Sequence, residues 1–196
     1  MIKLVAATKN AHKLIEFRRI LEPLGYEVLS QADVDTDIDV EETGTTFAEN
    51  AALKAEAIFR ATGLATIADD SGLEVDFLDG APGIYSARFG GPGLIDRDKC
   101  LLILKKMEGV PKEKRSARFV SAIHLILGET DRRSYLGTCE GFIGDKMVGE
   151  NGFGYDPIFM VNDTDSFATL SGEEKDRLSH RGRALKMMEE DLKGTK

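Results

Sequence analysis

Ala65-Thr66-Ile67-Ala68-Asp69-Asp70-Ser71-Gly72-Leu73 runs from strand formers straight into two carboxylates, a hydroxyl and a glycine. The apolar part has the length and β-branched content of a buried strand, and the polar part reads as its stop. Such a strand presents its acids at its carboxyl end, which in open α/β sheets faces the ligand crevice. Two adjacent acids there suit a hard divalent cation, or the activation of a water by a general base. Asp, Ser and Gly are also ordinary turn residues, so the chemistry depends on what the rest of the chain brings to this corner.

Upstream, residues 2–7 are apolar on both faces, as a central strand requires. Thr8-Lys9-Asn10-Ala11-His12-Lys13 follows, then Leu14, Phe17, Leu21 and Leu24 at helical spacing, with Gly25 as the stop. Amides at this helix start, with Lys9 and Lys13, form a candidate anion cradle, although the pattern is not that of a P-loop. Glu27 to Ser30 reads as a short strand, and residues 31–44 as an acidic, solvated loop ending in Glu41 and Glu42. Thr46-Phe47-Ala48-Glu49 has the spacing of a capping box and opens a helix to Thr62, stopped by Gly63. Phe47, Ala51, Ala55, Ile58 and Phe59 form its buried face; Asn50 and Lys54, on another stripe, read as surface residues, with a cleft-facing role as the alternative.

Downstream, Leu73 to Phe77 alternates like an edge strand, and residues 80–93 form a Gly/Pro-rich structured loop. Asp96 reads as the cap of a helix carrying Cys100, Ile103, Leu104 and Met107 inward. Residues 115–127 and 133–143 predict a long antiparallel hairpin, with His124 structural within it. A hairpin of this length extends beyond a simple doubly wound core, so a mixed sheet with a second lobe, and a cleft between the lobes, is expected. Asn151-Gly152-Phe153-Gly154-Tyr155-Asp156-Pro157 reads equally as a tight loop stapled by its aromatics or as a glycine turn that lets backbone approach a ligand and offers aromatic faces to a base. Ser171 to Glu174 is another capping box. On one continuous helix Lys175 and His180 would point ~140° apart, so a ligand shared by both requires a break near Ser179.

The chain has 196 residues, enough for one domain with a sizeable core. A net charge of −8 argues against affinity for nucleic acid, whereas a small anionic ligand needs only a local basic cluster or a metal. Cys100 and Cys139 read as buried fillers rather than a disulfide framework. Met1 to Val5 starts on a strand pattern instead of a signal-peptide layout. No apolar run nears the roughly 20 residues that cross a bilayer, so a cytoplasmic protein with no membrane partner is expected.

The order of Thr8-Lys9-Asn10…Lys13, Glu41-Glu42-Thr43-Gly44-Thr45-Thr46-Phe47…Glu49-Asn50-Ala51, Ala68-Asp69-Asp70-Ser71-Gly72-Leu73, Gly80-Ala81-Pro82-Gly83-Ile84-Tyr85-Ser86-Ala87-Arg88, Gly152-Phe153-Gly154-Tyr155-Asp156-Pro157 and Ser179-His180-Arg181-Gly182 resembles the noncanonical purine nucleoside triphosphate pyrophosphatases. These are the inosine/xanthosine triphosphatases that clean the nucleotide pool. The resemblance implies one α/β domain over residues 1–196: an elongated mixed sheet flanked by helices, two lobes with the active-site cleft between them, and a homodimer. It implies Asp70 as general base and Mg2+ ligand and Glu41 as the second metal ligand, with Glu42 the neighbouring alternative. Thr8, Lys9, Asn10, Ala11, His12 and Lys13 match the triphosphate turn, and Ser71 a substrate contact. Phe153, Gly154, Tyr155 and Asp156 match the nucleoside pocket, and Lys175, His180 and Arg181 the contacts to nucleotide and base.

The implied reaction is attack of a water, oriented by Asp70, on the α-phosphorus, with pyrophosphate leaving. Hypoxanthine and xanthine carry a 6-oxo acceptor where adenine has an amino group, so donors such as His180 and Arg181 would select them. Two rivals stay open: the same reaction on modified pyrimidine nucleotides, and a nucleotide sensor that binds without turnover.

Overall fold

The computed structural model describes residues 2–194. Eleven elements carry the fold: β1 (Ile2–Ala6), α1 (Ala11–Leu21), β2 (Tyr26–Leu29), α2 (Phe47–Thr62), β3 (Thr66–Val75), α3 (Asp96–Lys106), β4 (Ser116–Ile126), β5 (Arg132–Ile143), β6 (Phe159–Met160), α4 (Gly172–Leu178) and α5 (His180–Gly194). The strands form one six-stranded sheet in the order β2-β1-β3-β4-β5-β6. β1 pairs parallel with β2 and β3, while β5 and β6 are antiparallel, so the sheet is mixed as expected. Bonds from Leu127 N to Asp131 O (3.0 Å) and from Ile143 N to Arg115 O (2.9 Å) close the β4–β5 hairpin at its two ends. No described helix is long and apolar enough to cross a membrane.

The chain condenses into two compact units: one holds the chain up to Asp70, Ser121–Gly137 and the segment from Arg181 onward; the other holds Ser71–Val120 and Thr138–His180. In the first unit the strand period of two sorts the core. Leu4, Ala6 and Ile67 face a cluster with Phe17 and Leu21 of α1 and Ala184, Leu185 and Met188 of α5. Val5, Ala7 and Ala68 face the opposite cluster, with Ala55, Ile58 and Phe59 of α2. Helices therefore cover both faces, which is why β1 is apolar and buried from Leu4 to Ala6. The second unit has its own core, in which Phe119, Phe159 and Phe167 pack ring on ring beside Ile103, Met107 and Tyr155.

Several local expectations change. β3 does not stop at its acids; it runs ten residues through Asp69-Asp70-Ser71-Gly72 to Val75. Its pairing with β1 is registered only at Thr66 and Ile67, and the chain stays extended as the neighbour of β4 instead of turning. Thr46 caps α2 by accepting from Glu49 N, but the Glu49 carboxylate accepts from Thr45 N (2.6 Å) and Thr45 Oγ1, so the box closes one residue early. The cap of α3 is Ile95, and Asp96 is its first helical residue. Asn50 and Lys54 are not surface residues: Asn50 is 0% exposed and the Lys54 side chain 15%. α1 ends at Leu21 with Glu22 as its cap, and Gly25 closes the 3-10 turn Glu22–Leu24 that follows. Residues 73–75 are the end of β3, an inner strand, rather than an edge strand. The Ser171 box is formed and the helix is broken at Ser179, whose ψ of 159° is extended.

Candidate active site

Because neighbouring strand residues point to opposite faces, β3 sends its two acids to different helices. Asp69 continues the row of Ile67 onto the α1/α5 face. It is 1% exposed and accepts from Lys13 Nζ at 2.7 Å, Arg181 Nη2 at 2.9 Å and Ser121 Oγ at 2.6 Å. Arg181, itself 1% exposed, also pairs with Glu16 of α1. Burial alone would raise the Asp69 carboxyl, but Arg181 and Lys13 outweigh it and hold the group well below the usual carboxylate range. Asp69 is therefore a charged tie between β3, α1 and α5.

Asp70 continues the row of Ala68 onto the α2 face and is 6% exposed. Its Oδ1 accepts from Lys54 Nζ at 3.2 Å, and the same ammonium reaches Glu42 Oε1 at 2.7 Å. Its Oδ2 is buried and has no hydrogen-bond partner among the described residues. Burial raises the Asp70 pKa; Lys54 opposes this and the Glu42 charge reinforces it, leaving the group above its ordinary value. A carboxylate held by one oxygen with the other unclaimed is set up to accept from a water or to bind a cation. Glu41 is exposed and makes no ion pair among the described residues, so of the two glutamates it is Glu42 that shares a cation with Asp70.

The turn before α1 lies beside this segment, since Ala7 N donates to Ile67 O at 2.8 Å. Thr8 Oγ1 accepts from Asn10 N at 3.1 Å, and Asn10 Oδ1 accepts from His12 N (2.9 Å) and Lys13 N (3.3 Å). Asn10 thus caps α1, and its oxygen takes the position an anion would take at a helix N-terminus. Ala11 and His12 are exposed, and Lys9 pairs at the surface with Asp37 at 2.9 Å. Lys13 is mostly buried, its side chain 14% exposed, and this lowers its pKa against the pull of Asp69.

In the second unit the residues 151–157 turn is held from several sides. Asp156, 3% exposed, accepts from Phe153 N at 2.9 Å and from Lys175 Nζ of α4 at 2.6 Å. Gly152 has φ +75°, and a Cβ there would collide with Asp156 Oδ2. Lys175 Nζ sits 4.8 Å from the centroid of the half-buried Phe153 ring. Gly154 N donates to Asp96 Oδ2 at 2.8 Å, and Tyr155 OH to Ser86 O at 2.8 Å. His180 is buried with its ring stacked on Phe119 at 4.8 Å. Ser71 is half-buried on β3. Of the turn's residues, Phe153 and Gly154 retain access, while Tyr155 and Asp156 are spent on its shape.

The first unit thus gathers Lys13, Asp70, Arg181 and the Thr8–Asn10 turn, and the second gathers Phe153, Gly154, Tyr155, Asp156, Lys175 and His180. Sequence reasoning missed Lys54, Asn50 and Glu16. A signal existed for the first two: Phe47, Asn50, Lys54 and Ile58 recur at i, i+3, i+7 and i+11, one stripe of the helix.

Comparison with known proteins agrees along nearly the whole chain. The family model described as "Ham1 family" matches residues 4–191. A protein of Bacillus licheniformis named dITP/XTP pyrophosphatase is 48% identical over 96% of each chain. The Staphylococcus aureus Ham1 protein superposes with a TM-score of 0.87 at 42% identity, covering 99% of this chain and 100% of that one. A HAM1 protein from Coxiella burnetii gives 0.88 at 37% identity, over 99% and 100%. A match of this extent, in sequence and in fold, means that the chain belongs to the Ham1 family.

Proposed function

We propose that the protein hydrolyses noncanonical purine nucleoside triphosphates (ITP, dITP, XTP and dXTP) to the monophosphate and pyrophosphate, removing them from the nucleotide pool before they enter nucleic acid. Membership of the Ham1 family and relatives named dITP/XTP pyrophosphatase support this reading. The observation that carries it is Asp70: a buried carboxylate with one oxygen on Lys54 and the other unclaimed among the described residues.

The donor set fits Mg2+. Asp70 Oδ2 and the Glu41 carboxylate are hard oxygen donors without ion-pair partners among the described residues, and Glu42 is the neighbouring alternative. Those residues include no cluster of three His, Cys, Asp or Glu that could cage a metal. Mg2+ is usually bound through one or two carboxylates, keeping waters and sharing its shell with substrate phosphates. When bound, Mg2+ supplies charge neutralisation on the triphosphate and a lowered pKa for the water.

The chain's own residues do the rest. Lys13 and the amides of the Thr8-Lys9-Asn10-Ala11-His12 turn hold the phosphates, the anion displacing the Asn10 cap. Asp70 orients the water and takes its proton as the water oxygen bonds to the α-phosphorus; the bond from that phosphorus to the bridging oxygen breaks and pyrophosphate leaves with it. Lys54 holds Asp70 in place and keeps it and Glu42 compatible as neighbours. Phe153, Gly154, Lys175 and His180, with Ser71, receive the nucleoside, and Tyr155 and Asp156 shape their turn. Arg181 acts through Asp69 and Lys13. We place the reaction in the cytoplasm, carried out by a homodimer.

The test is pyrophosphate release from inosine, xanthosine, adenosine, guanosine and modified pyrimidine triphosphates, with and without Mg2+. Release restricted to the 6-oxo purines lacking a 2-amino group, dependent on Mg2+ and lost in Asp70→Asn, is expected. Equal rates on ATP, or near-normal turnover by Asp70→Asn, would overturn it.

A further inference from the structure

Asn50 is 0% exposed in the first turn of α2, yet only one end of its side chain is used. Its Oδ1 accepts from Gly44 N at 2.8 Å, and its Nδ2 is buried with no partner among the described residues. The assignment of the two ends follows from chemistry, because Gly44 N is a donor and must face the oxygen. The packing is tight: a Cβ on Gly44 would lie 2.6 Å from Asn50 Oδ1 and 3.0 Å from Asn50 N. Oδ1 thereby pins the turn that carries Glu41 and Glu42 against the helix.

The unused end points to a second task. A buried donor without an acceptor costs its full desolvation, so it is retained where an acceptor arrives from outside. Lys54 lies one turn beyond Asn50 on the same helix face, and its ammonium reaches both Glu42 and Asp70. Two neighbours of Lys54 therefore carry complementary vacancies: a donor on Asn50 and an acceptor on Asp70.

We infer that Asn50 Nδ2 donates to an oxygen that enters with the metal–triphosphate, either a water of the metal or a phosphate oxygen, while Oδ1 positions the acidic turn. The inference rests on the pyrophosphatase reading. Asn50→Asp keeps the acceptor for Gly44 and removes the donor; Asn50→Ala removes both, so the donor is the one thing lost in common. The probes are Mn2+ alone, by the loss of its free-ion spin-resonance signal, and α,β-methylene inosine triphosphate with Mg2+, by calorimetry. Both variants should bind at least one probe about tenfold or more weakly, since hydrogen bonds to charged partners are the strong class. Weaker Mn2+ assigns the oxygen to the metal's water; an effect on the nucleotide alone assigns it to phosphate. If the parent binds a probe and the folded Asn50→Ala variant, which adds no charge, binds every such probe equally well, the inference fails. If the parent binds neither, the pyrophosphatase reading itself fails.

Discussion

Replacing Asp69 and Asp70 by Asn, one at a time, makes the same chemical change at adjacent positions and should have opposite consequences. Asp69 holds Lys13 at 2.7 Å, Arg181 at 2.9 Å and Ser121 at 2.6 Å, with Arg181 and Ser121 buried and Lys13 mostly so. Removing one partner of a buried ion pair costs about 3–5 kcal/mol. Arg181 keeps Glu16, and Lys13, whose pKa burial already lowers, can give up its proton, so the lower end applies. A loss of about 3 kcal/mol in a chain of this size lowers Tm by ~6–12 °C. Asp70 is the reverse case: burial raises its pKa, so its ionised form weakens the fold, and Asp70→Asn should leave stability within roughly 1 kcal/mol or raise it.

The pH dependence separates the two further. The folded-state pKa of Asp69 is depressed, so its stabilisation is complete above the unfolded value of about 4 and is lost as pH falls through that value toward the folded one. The gap between parent and Asp69→Asn should therefore narrow below about pH 4. Thermal melts followed by circular dichroism across pH 3–8, alongside pyrophosphate release at pH 7, measure both. An Asp69→Asn melt within ~2 °C of the parent, or Asp70→Asn falling as far as Asp69→Asn, would refute the division of labour along β3.

Gly152→Ala forces Asp156 away from Lys175 and Phe153 N at a position with φ +75°, so substrate KM should rise with little change in Mn2+ retention by the first unit; an unchanged KM would show that the turn does not meet substrate. Cys100 lies beside Gly154 O with its thiol pushed up to about 12 by burial, and Cys139 is buried. Neither should react with a thiol reagent at pH 8 until the protein is unfolded, and rapid native labelling would contradict the packing.

Much of the fold was legible because its signals are local. Thr46, Gly63 and Ser171 bound helices through their own local geometry, and Ser179 breaks the last one between two candidate ligands. The apolar run of β1 announced a strand covered on both faces. The candidate acids and the glycine turn were legible as residue types with chemistry. Their employment was less so: β3 runs on through its acids, Glu42 rather than Glu41 shares a cation with Asp70, and Asn50 and Lys54 are buried.

What the sequence alone determined was the order of the elements other than β6, the family resemblance and the set of polar residues available, since propensity, capping and hydrophobic period act over a few residues. Only the tertiary structure decided which of those polar residues are spent on holding the protein together and which keep an unused atom. Asp69 meets Arg181 across 112 positions of sequence and is consumed by it, while Asp70, one residue on, faces α2 with an oxygen to spare. The free energy of a buried charge is set by what packs against it, and packing joins residues that no local pattern connects.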